Sequence, residues 1–182
     1  MNNFYLIRHA EAIWSEDENR PLSGRGRRDA ERVADNLIGF PIDLIISSPY
    51  RRAKETIVPL AKRLNLIIQI EPNLRERCLS SEAIEDFYSA VEQAWADPTF
   101  AHPGGESNLK VQKRGLIVIS RLQEEISTKH IVLSTHGNLL AVLLQHFDPS
   151  IDINFWRSLT FPDIYQLGIS SNGEIRILRL WE

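Results

Sequence analysis

A single cysteine, Cys78, occurs in the 182 residues of this chain. One cysteine excludes an intrachain disulfide and a thiolate zinc cluster, and such sparing use fits a reducing compartment. Long apolar runs are missing too. No window nears the about 18 apolar residues that span a bilayer, and the amino terminus has no basic stretch leading into an apolar segment. Nor is charge of one sign in surplus: 21 Lys and Arg face 24 Asp and Glu, a formal net charge of −3, with no blocks of like charge. The basic footprint of a general nucleic-acid binder is therefore absent. Repeats and low-complexity tracts are lacking as well. These absences leave the expectation of a cytoplasmic globule with no membrane or nucleic-acid partner. It is expected to form one domain over 1–182, large enough to bury roughly 70% of its unfolded surface.

What is present is an alternation of apolar runs and amphipathic stretches. Phe4-Tyr5-Leu6-Ile7 ends abruptly in Arg8-His9, the pattern of a buried strand that delivers polar residues at its carboxyl edge. Ser23 is placed to cap a helix in which Ala30, Val33, Ala34, Leu37 and Ile38 share one face before Gly39 and Pro41. Asp43 to Ser47 reads as a second strand. Ser48-Pro49 reads as a cap and first-turn proline for a helix carrying Ala53, Ile57, Leu60 and Leu64, which Pro59 is expected to kink or shorten. Leu66 to Ile70 is a third strand. A polar loop, Leu74 to Ser81, and an amphipathic stretch with Ile84, Phe87, Tyr88, Val91 and Trp95 then form an excursion. It is expected to pass over one edge of the sheet, lid-like, at about 72–105. Gly104-Gly105-Glu106-Ser107 opens a helix to about Ile126, and the strand from His130 to Thr135 ends at His136-Gly137. A short apolar helix, Leu139 to Phe147, follows. Tyr165 to Ile169 and Ile175 to Leu180 flank the hairpin turn Ser171-Asn172-Gly173. Strands alternating with helices predict a layered α/β fold closed by an antiparallel pair.

In open α/β sheets the ligand site lies beyond the carboxyl ends of the strands. Arg8-His9, Arg52 and His136-Gly137-Asn138 converge there. Two histidines and two arginines without clustered carboxylates suit an anion that is both held and attacked. A phosphoryl group fits best, because guanidinium forks match its oxygens and helix amino termini after Ser48 and Gly137 offer backbone N–H groups. Singly, each histidine reads as a structural residue at a strand end; it is the pairing with Arg8 and Arg52 that favours catalysis. Neighbouring guanidinium charges favour a neutral His9, one ring nitrogen of which a backbone carbonyl near Ala10 could fix. Ser47 is expected to act as a strand-end or capping hydroxyl. His102, His130 and His146 show no partner and are expected at the surface, as are Arg51 and the loop residue Arg20, though Arg20 could be a second anion contact. Trp14, Tyr88, Trp95 and Phe100 could wall a pocket, although the helical spacing of Tyr88 and Trp95 favours the core. Cys78 reads as a small lid residue.

Five motifs appear in a telling order: Arg8-His9-Ala10-Glu11, Leu22-Ser23-x-x-Gly26, Ser47-Ser48-Pro49-x-Arg51-Arg52-Ala53-x-x-Thr56, Pro103-Gly104-Gly105-Glu106-Ser107 and Ser134-Thr135-His136-Gly137-Asn138. In this order they resemble the histidine phosphatase superfamily, the phosphoglycerate-mutase-like proteins, and within it the small bacterial phosphatases. The resemblance implies a three-layer α/β/α fold with a mixed, mainly parallel sheet. It further implies a phosphoric monoester hydrolase that needs no metal or other cofactor and forms a phosphohistidine on His9. Arg8, Arg52 and Asn138 would bind the phosphate, and His136 would be a second clamp residue. Glu76, in Leu74-Arg75-Glu76-Arg77, stands where many members carry the proton donor; its plain alternative is a surface loop carboxylate. The substrate would be a small phosphorylated molecule or a phosphoprotein. Ala10 replaces the usual glycine of the first motif. The short loop to Arg20 has no counterpart of the mutases' asparagine, whereas the excursion and Glu76 are features the small phosphohistidine phosphatases generally lack. A mutase and a non-catalytic phosphate-sensing module remain alternatives. A dinuclear metallohydrolase is disfavoured, since His9 and His136 lack the Asp and Glu ligands such a site needs.

Overall fold

The structure is a computed structural model that describes residues 2–15, 17–125 and 129–182. Strands β1 (Asn2–Arg8), β2 (Leu44–Ser47), β3 (Ile68–Ile70), β4 (His130–Thr135), β5 (Asp163–Ile169) and β6 (Ile175–Arg179) form one sheet in the order β3-β2-β4-β1-β5-β6. The first four are mutually parallel, and β5 and β6 complete the sheet antiparallel. The parallel register builds the site. Arg8 lies opposite Thr135, and Ser47 opposite Ser134, so His9, Ser48 and His136 all leave the sheet at one edge.

Successive β1 side chains point to opposite faces. Tyr5 and Ile7 pack with Val33, Leu37, Ile57 and Leu60 from α1 (Gly24–Leu37) and α2 (Arg51–Leu64). Phe4 and Leu6 pack with Val111, Ile119, Leu140 and Leu143 from α4 (Asn108–Glu125) and α5 (Gly137–Phe147). Helices on both faces explain why β1 reads as an unbroken apolar run. The result is the expected three-layer α/β/α arrangement with a mixed, mainly parallel sheet. Among the described residues, no helix is long and apolar enough to cross a membrane.

Ser23 caps α1 as expected, accepting from the Gly26 N–H. Gly26 is obligatory there, because a Cβ would sit 2.0 Å from the Glu11 carbonyl oxygen. Other expectations are corrected. The cap residue of α2 is Tyr50, not Ser48, and the helix runs through Pro59 to Leu64 before Asn65 closes it in the left-handed region. Only Ile68–Ile70 joins the third ladder. The helix expected to end near Ile126 starts at Asn108, and its expected end lies outside the described residues. Helix α3 (Phe87–Ala96) buries Ala90, Val91 and Ala94 and leaves Tyr88 exposed, so Tyr88 is not a core residue. Helix α6 (Ile153–Ser158), capped by Asp152, was not anticipated. The 3₁₀ turn Pro72–Leu74 brings the chain after β3 to the carboxyl ends of the central strands, where the Leu74 carbonyl accepts from the Thr135 hydroxyl at 2.8 Å.

Candidate active site

His9 follows β1 directly and is 5% exposed. Its Nδ1 lies 2.8 Å from the Ala10 carbonyl oxygen, which fixes the proton there and leaves Nε2 with a lone pair. Nε2 accepts from Arg52 Nε at 3.2 Å. Burial pushes the imidazole pKa down to about 3; the Ala10 hydrogen bond opposes this, and the Arg52, Arg8 and Arg20 charges add to it. His9 is thus a neutral imidazole held in one orientation, its Nε2 lone pair turned to Arg52. Thr56 supports it from α2: its hydroxyl accepts from the Ala10 N–H at 2.9 Å and donates to the Arg52 carbonyl at 2.7 Å.

Arg8 donates to the Leu159 carbonyl at 2.7 Å and stacks on Phe161, 3.5 Å from guanidinium carbon to ring centroid. Burial lowers its pKa to about 10, against the pull of Glu76 and Asp163. The guanidinium also lies against Gly137, where a Cβ would meet its Cζ and Nε at 3.0 Å. Arg52 donates a second bond to the Glu18 carbonyl at 2.7 Å. Arg20, ordinary in sequence, joins the cluster and is held through the Ser15 carbonyl at 2.9 Å.

His136 is fully buried, its ring 5.2 Å from that of His9. Its Nε2 is 2.7 Å from Ser48 Oγ. Ser48 Oγ also accepts from the Tyr50 N–H, and its one proton is free to go to Nε2, the pairing in which the neutral ring carries its proton on Nδ1. Burial holds His136 well below the ordinary histidine range, and His9 and the nearby arginines reinforce this. Ser48 is therefore an orienting residue that the sequence disguised as a helix cap, whereas Ser47 only bonds the Ser48 carbonyl. Asn138 donates to Asn108 Oδ1 at 3.1 Å. Four polar atoms here, Arg8 Nε, Arg20 Nε, His136 Nδ1 and Asn138 Oδ1, are buried without a hydrogen-bond partner among the described residues. Orphaned buried donors cost about 1–3 kcal/mol each and mark functional sites.

Glu76 sits at the amino terminus of α5, its carboxylate 3.3 Å from Asn138 N and 3.4 Å from Leu139 N. Arg114 of α4 shapes the loop around it. Its guanidinium meets both oxygens of buried Glu106 at 3.0 Å and also donates to the carbonyls of Asn73, Arg75 and Glu76. Glu106 bonds Arg75 as well, at 3.1 Å. The sequence reading missed Arg114; its one signal is an arginine on the apolar stripe of Val111, Val118, Ile119 and Leu122.

A cavity of about 260 Å³ opens over His9. Arg8, Arg20, Arg52, Arg77, Glu76 and Asn138 form its polar side. Its apolar side is Leu79, Phe87, Trp156 and Phe161, not Trp14, Tyr88, Trp95 or Phe100. His136 is fully buried beside His9, its ring edge-on to the His9 ring, and is not part of the cavity's exposed wall. Cys78 is exposed and Trp14 is 83% exposed. Of the remaining histidines, only His146 is a plain surface residue; His130 bonds the Tyr5 hydroxyl and His102 the Ala90 carbonyl. Among the described residues, no group of three or more His, Cys, Asp or Glu side chains could hold a metal ion.

Residues 4–176 match the family model of the histidine phosphatase superfamily (branch 1). The chain belongs to that superfamily. Glucosyl-3-phosphoglycerate phosphatase of Mycobacterium tuberculosis is 31% identical over 137 residues, 67% of this chain and 61% of that protein. The chain thus spans about 61% of the length of this curated relative. Phosphoglycerate mutase-like protein 4 of Arabidopsis thaliana is 28% identical over 163 residues, 80% of this chain and 70% of that protein. The solved mycobacterial glucosyl-3-phosphoglycerate phosphatase in complex with inorganic phosphate superposes with a TM-score of 0.78 at 26% identity, over 98% of this chain and 95% of that one. In this histidine phosphatase superfamily member, the five motifs quoted from the sequence all lie within the matched residues.

Proposed function

We propose that the chain is a phosphatase that hydrolyses a phosphomonoester through a phosphohistidine on His9, with the whole of 1–182 as one domain in the cytoplasm and about 72–105 as a lid over the site. One observation carries this reading: a neutral His9 whose Nε2 faces a cavity ringed by Arg8, Arg20 and Arg52. His9 Nε2 attacks phosphorus as the ester P–O bond breaks, and Glu76 in its acid form gives its proton to the departing alkoxide. Glu76 then takes a proton from water, the resulting hydroxide displaces His9 from phosphorus, and inorganic phosphate leaves. Charge on the three equatorial oxygens is met by the guanidinium groups and by His136 Nδ1–H, which supply what a metal ion would otherwise supply. Asn138 helps to hold the phosphate through its amide N–H groups. The buried donors without partners, Arg8 Nε, Arg20 Nε and His136 as its Nδ1–H tautomer, support the arginine and His136 assignments, because phosphate oxygens would satisfy them; Asn138 Oδ1, an acceptor, does not.

The substrate is a small phosphorylated molecule or a phosphoprotein, and the names of relatives such as glucosyl-3-phosphoglycerate phosphatase support the former. The test is to mix the protein with a ³²P-labelled slow ester and quench without acid. Label on His9, lost in His9→Ala, and phosphate release undiminished by chelator are expected. Label that survives in His9→Ala would sink the assignment. Transfer of label to a second hydroxyl faster than to water would make the chain a mutase, and tight phosphate binding without turnover would make it a sensing module.

A further inference from the structure

Resting on the phosphatase reading, we propose that the alcohol released from the phosphate is uncharged and presents a flat, apolar face, unlike the sugar acid phosphate for which the mycobacterial relative is named. The argument begins with charge. Arg8, Arg20 and Arg52 line the cavity beside His9 and are the cations placed to meet the transferring phosphate. The fourth arginine of the cavity, Arg77, is bracketed by Glu76 and Glu106 and donates to Asn108 Oδ1 at 2.7 Å. Arg75 is taken by Glu106. No cation is left over for a carboxylate on the leaving group.

The rest of the wall is hydrocarbon. Leu79 and Phe87 come from the 72–105 excursion, Trp156 from α6, and Phe161 from the turn before β5. Phe87 is 52% and Phe161 43% exposed, a costly display for two large aromatics unless the mouth receives an apolar group. Phe161 stands beside the chemistry, its ring centroid 5.4 Å from that of His9, so a group attached to the transferring phosphate must pass it. An exposed ion pair joins Arg157 on α6 to Glu92 on α3, the helices that carry Trp156 and Phe87. A flat ring can bury apolar area against these aromatic side chains. A carboxylate or a sugar at the same place would lose its hydration against a wall with no free charge to replace it.

Benzyl phosphate and ethyl phosphate release alcohols of similar acidity, so their comparison isolates the wall from the chemistry. 3-Phosphoglycerate supplies the anionic arm. We expect kcat/KM for benzyl phosphate to exceed both others by about tenfold or more. Phe87→Ala, at a half-exposed position that spares the core, should shrink the benzyl-to-ethyl ratio several-fold. A ratio near one, an unchanged ratio in Phe87→Ala, or a preference for 3-phosphoglycerate would overturn the proposal while phosphate release and labelling of His9 left the phosphatase reading intact. If no ester released phosphate and His9 took no label, the phosphatase reading would fail and this inference with it.

Discussion

Arg114→Lys tests whether the buried fork beneath Glu76 matters to the chemistry or only to the fold. Arg114 makes five polar contacts, two to Glu106 and three to the carbonyls of Asn73, Arg75 and Glu76. A lysine keeps the charge beside Glu106 but has three donors on a compact head, so at least two contacts are lost. At about 1.5–3 kcal/mol for each bond to a charged group, partly regained by rearrangement, the variant should lose about 2–5 kcal/mol of stability. For a chain of this size that lowers Tm by roughly 5–15 °C. The catalytic effect should be selective. Releasing the Glu76 carbonyl lets the carboxyl group wander, and a displacement of about 1 Å can cost on the order of 10²-fold in rate. In the step that releases the alcohol, only a leaving group that needs a proton should feel this, whereas hydrolysis of the shared phosphohistidine, which also uses Glu76, slows for every ester. We therefore expect kcat/KM, which reports the steps up to alcohol departure, to fall about 10–100-fold for ethyl phosphate and no more than about threefold for p-nitrophenyl phosphate, whose phenolate departs unaided. Both are measured well below either Tm, with Glu76→Gln in parallel. Equal losses on both substrates would refute the positioning argument, and equal losses in Glu76→Gln would refute the acid role itself.

Two further outcomes follow from the geometry. Gly137→Ala brings a Cβ to 3.0 Å from the Arg8 guanidinium, which must give by a few tenths of an ångström, so kcat/KM should drop about 3–10-fold with Tm nearly unchanged; wild-type kinetics would show that the phosphate tolerates a shift of Arg8. His9 is pushed down to about 3, and below pH 6.5 the unfolded chain binds protons that native His9 and His136 refuse. Stability should therefore fall as pH drops from about 6.5 toward 3, by up to about 1.4 kcal/mol per pH unit for each histidine, with no such contribution changing above that window. Urea titrations at pH 7 and pH 5 read this slope, which should shrink in His9→Gln; an undiminished slope would assign the effect elsewhere.

The site was legible where its signals are local. An apolar run that stops at Arg8-His9, and another that stops at His136, needs only the parallel register of β1 and β4 to put both histidines at one edge. The residues that escaped notice are those whose partners are remote. Ser48 followed by Pro49 has the local signature of a helix cap, yet its hydroxyl is claimed by His136, 88 positions away. Arg114 sits in an apolar stripe, and its acceptors lie 8 to 41 positions distant. The aromatic wall failed for a related reason. Helical spacing links Tyr88 to Trp95, but α3 buries only Ala90, Val91 and Ala94, so spacing alone could not say which face meets the core.

The net charge of −3 was an equally poor guide, because the electrostatics that matter are confined to a few ångströms. Three arginines converge on His9, and burial of Arg8 and Arg52 there carries a cost in desolvation that no folding argument recommends. Arg8 Nε, Arg20 Nε and His136 Nδ1 are left without partners among the described residues in the same place, while a further orphaned donor, Trp95 Nε1, lies apart on α3. Three of the four thus gather around one neutral imidazole, and an anion that satisfies them stabilises the fold when it binds.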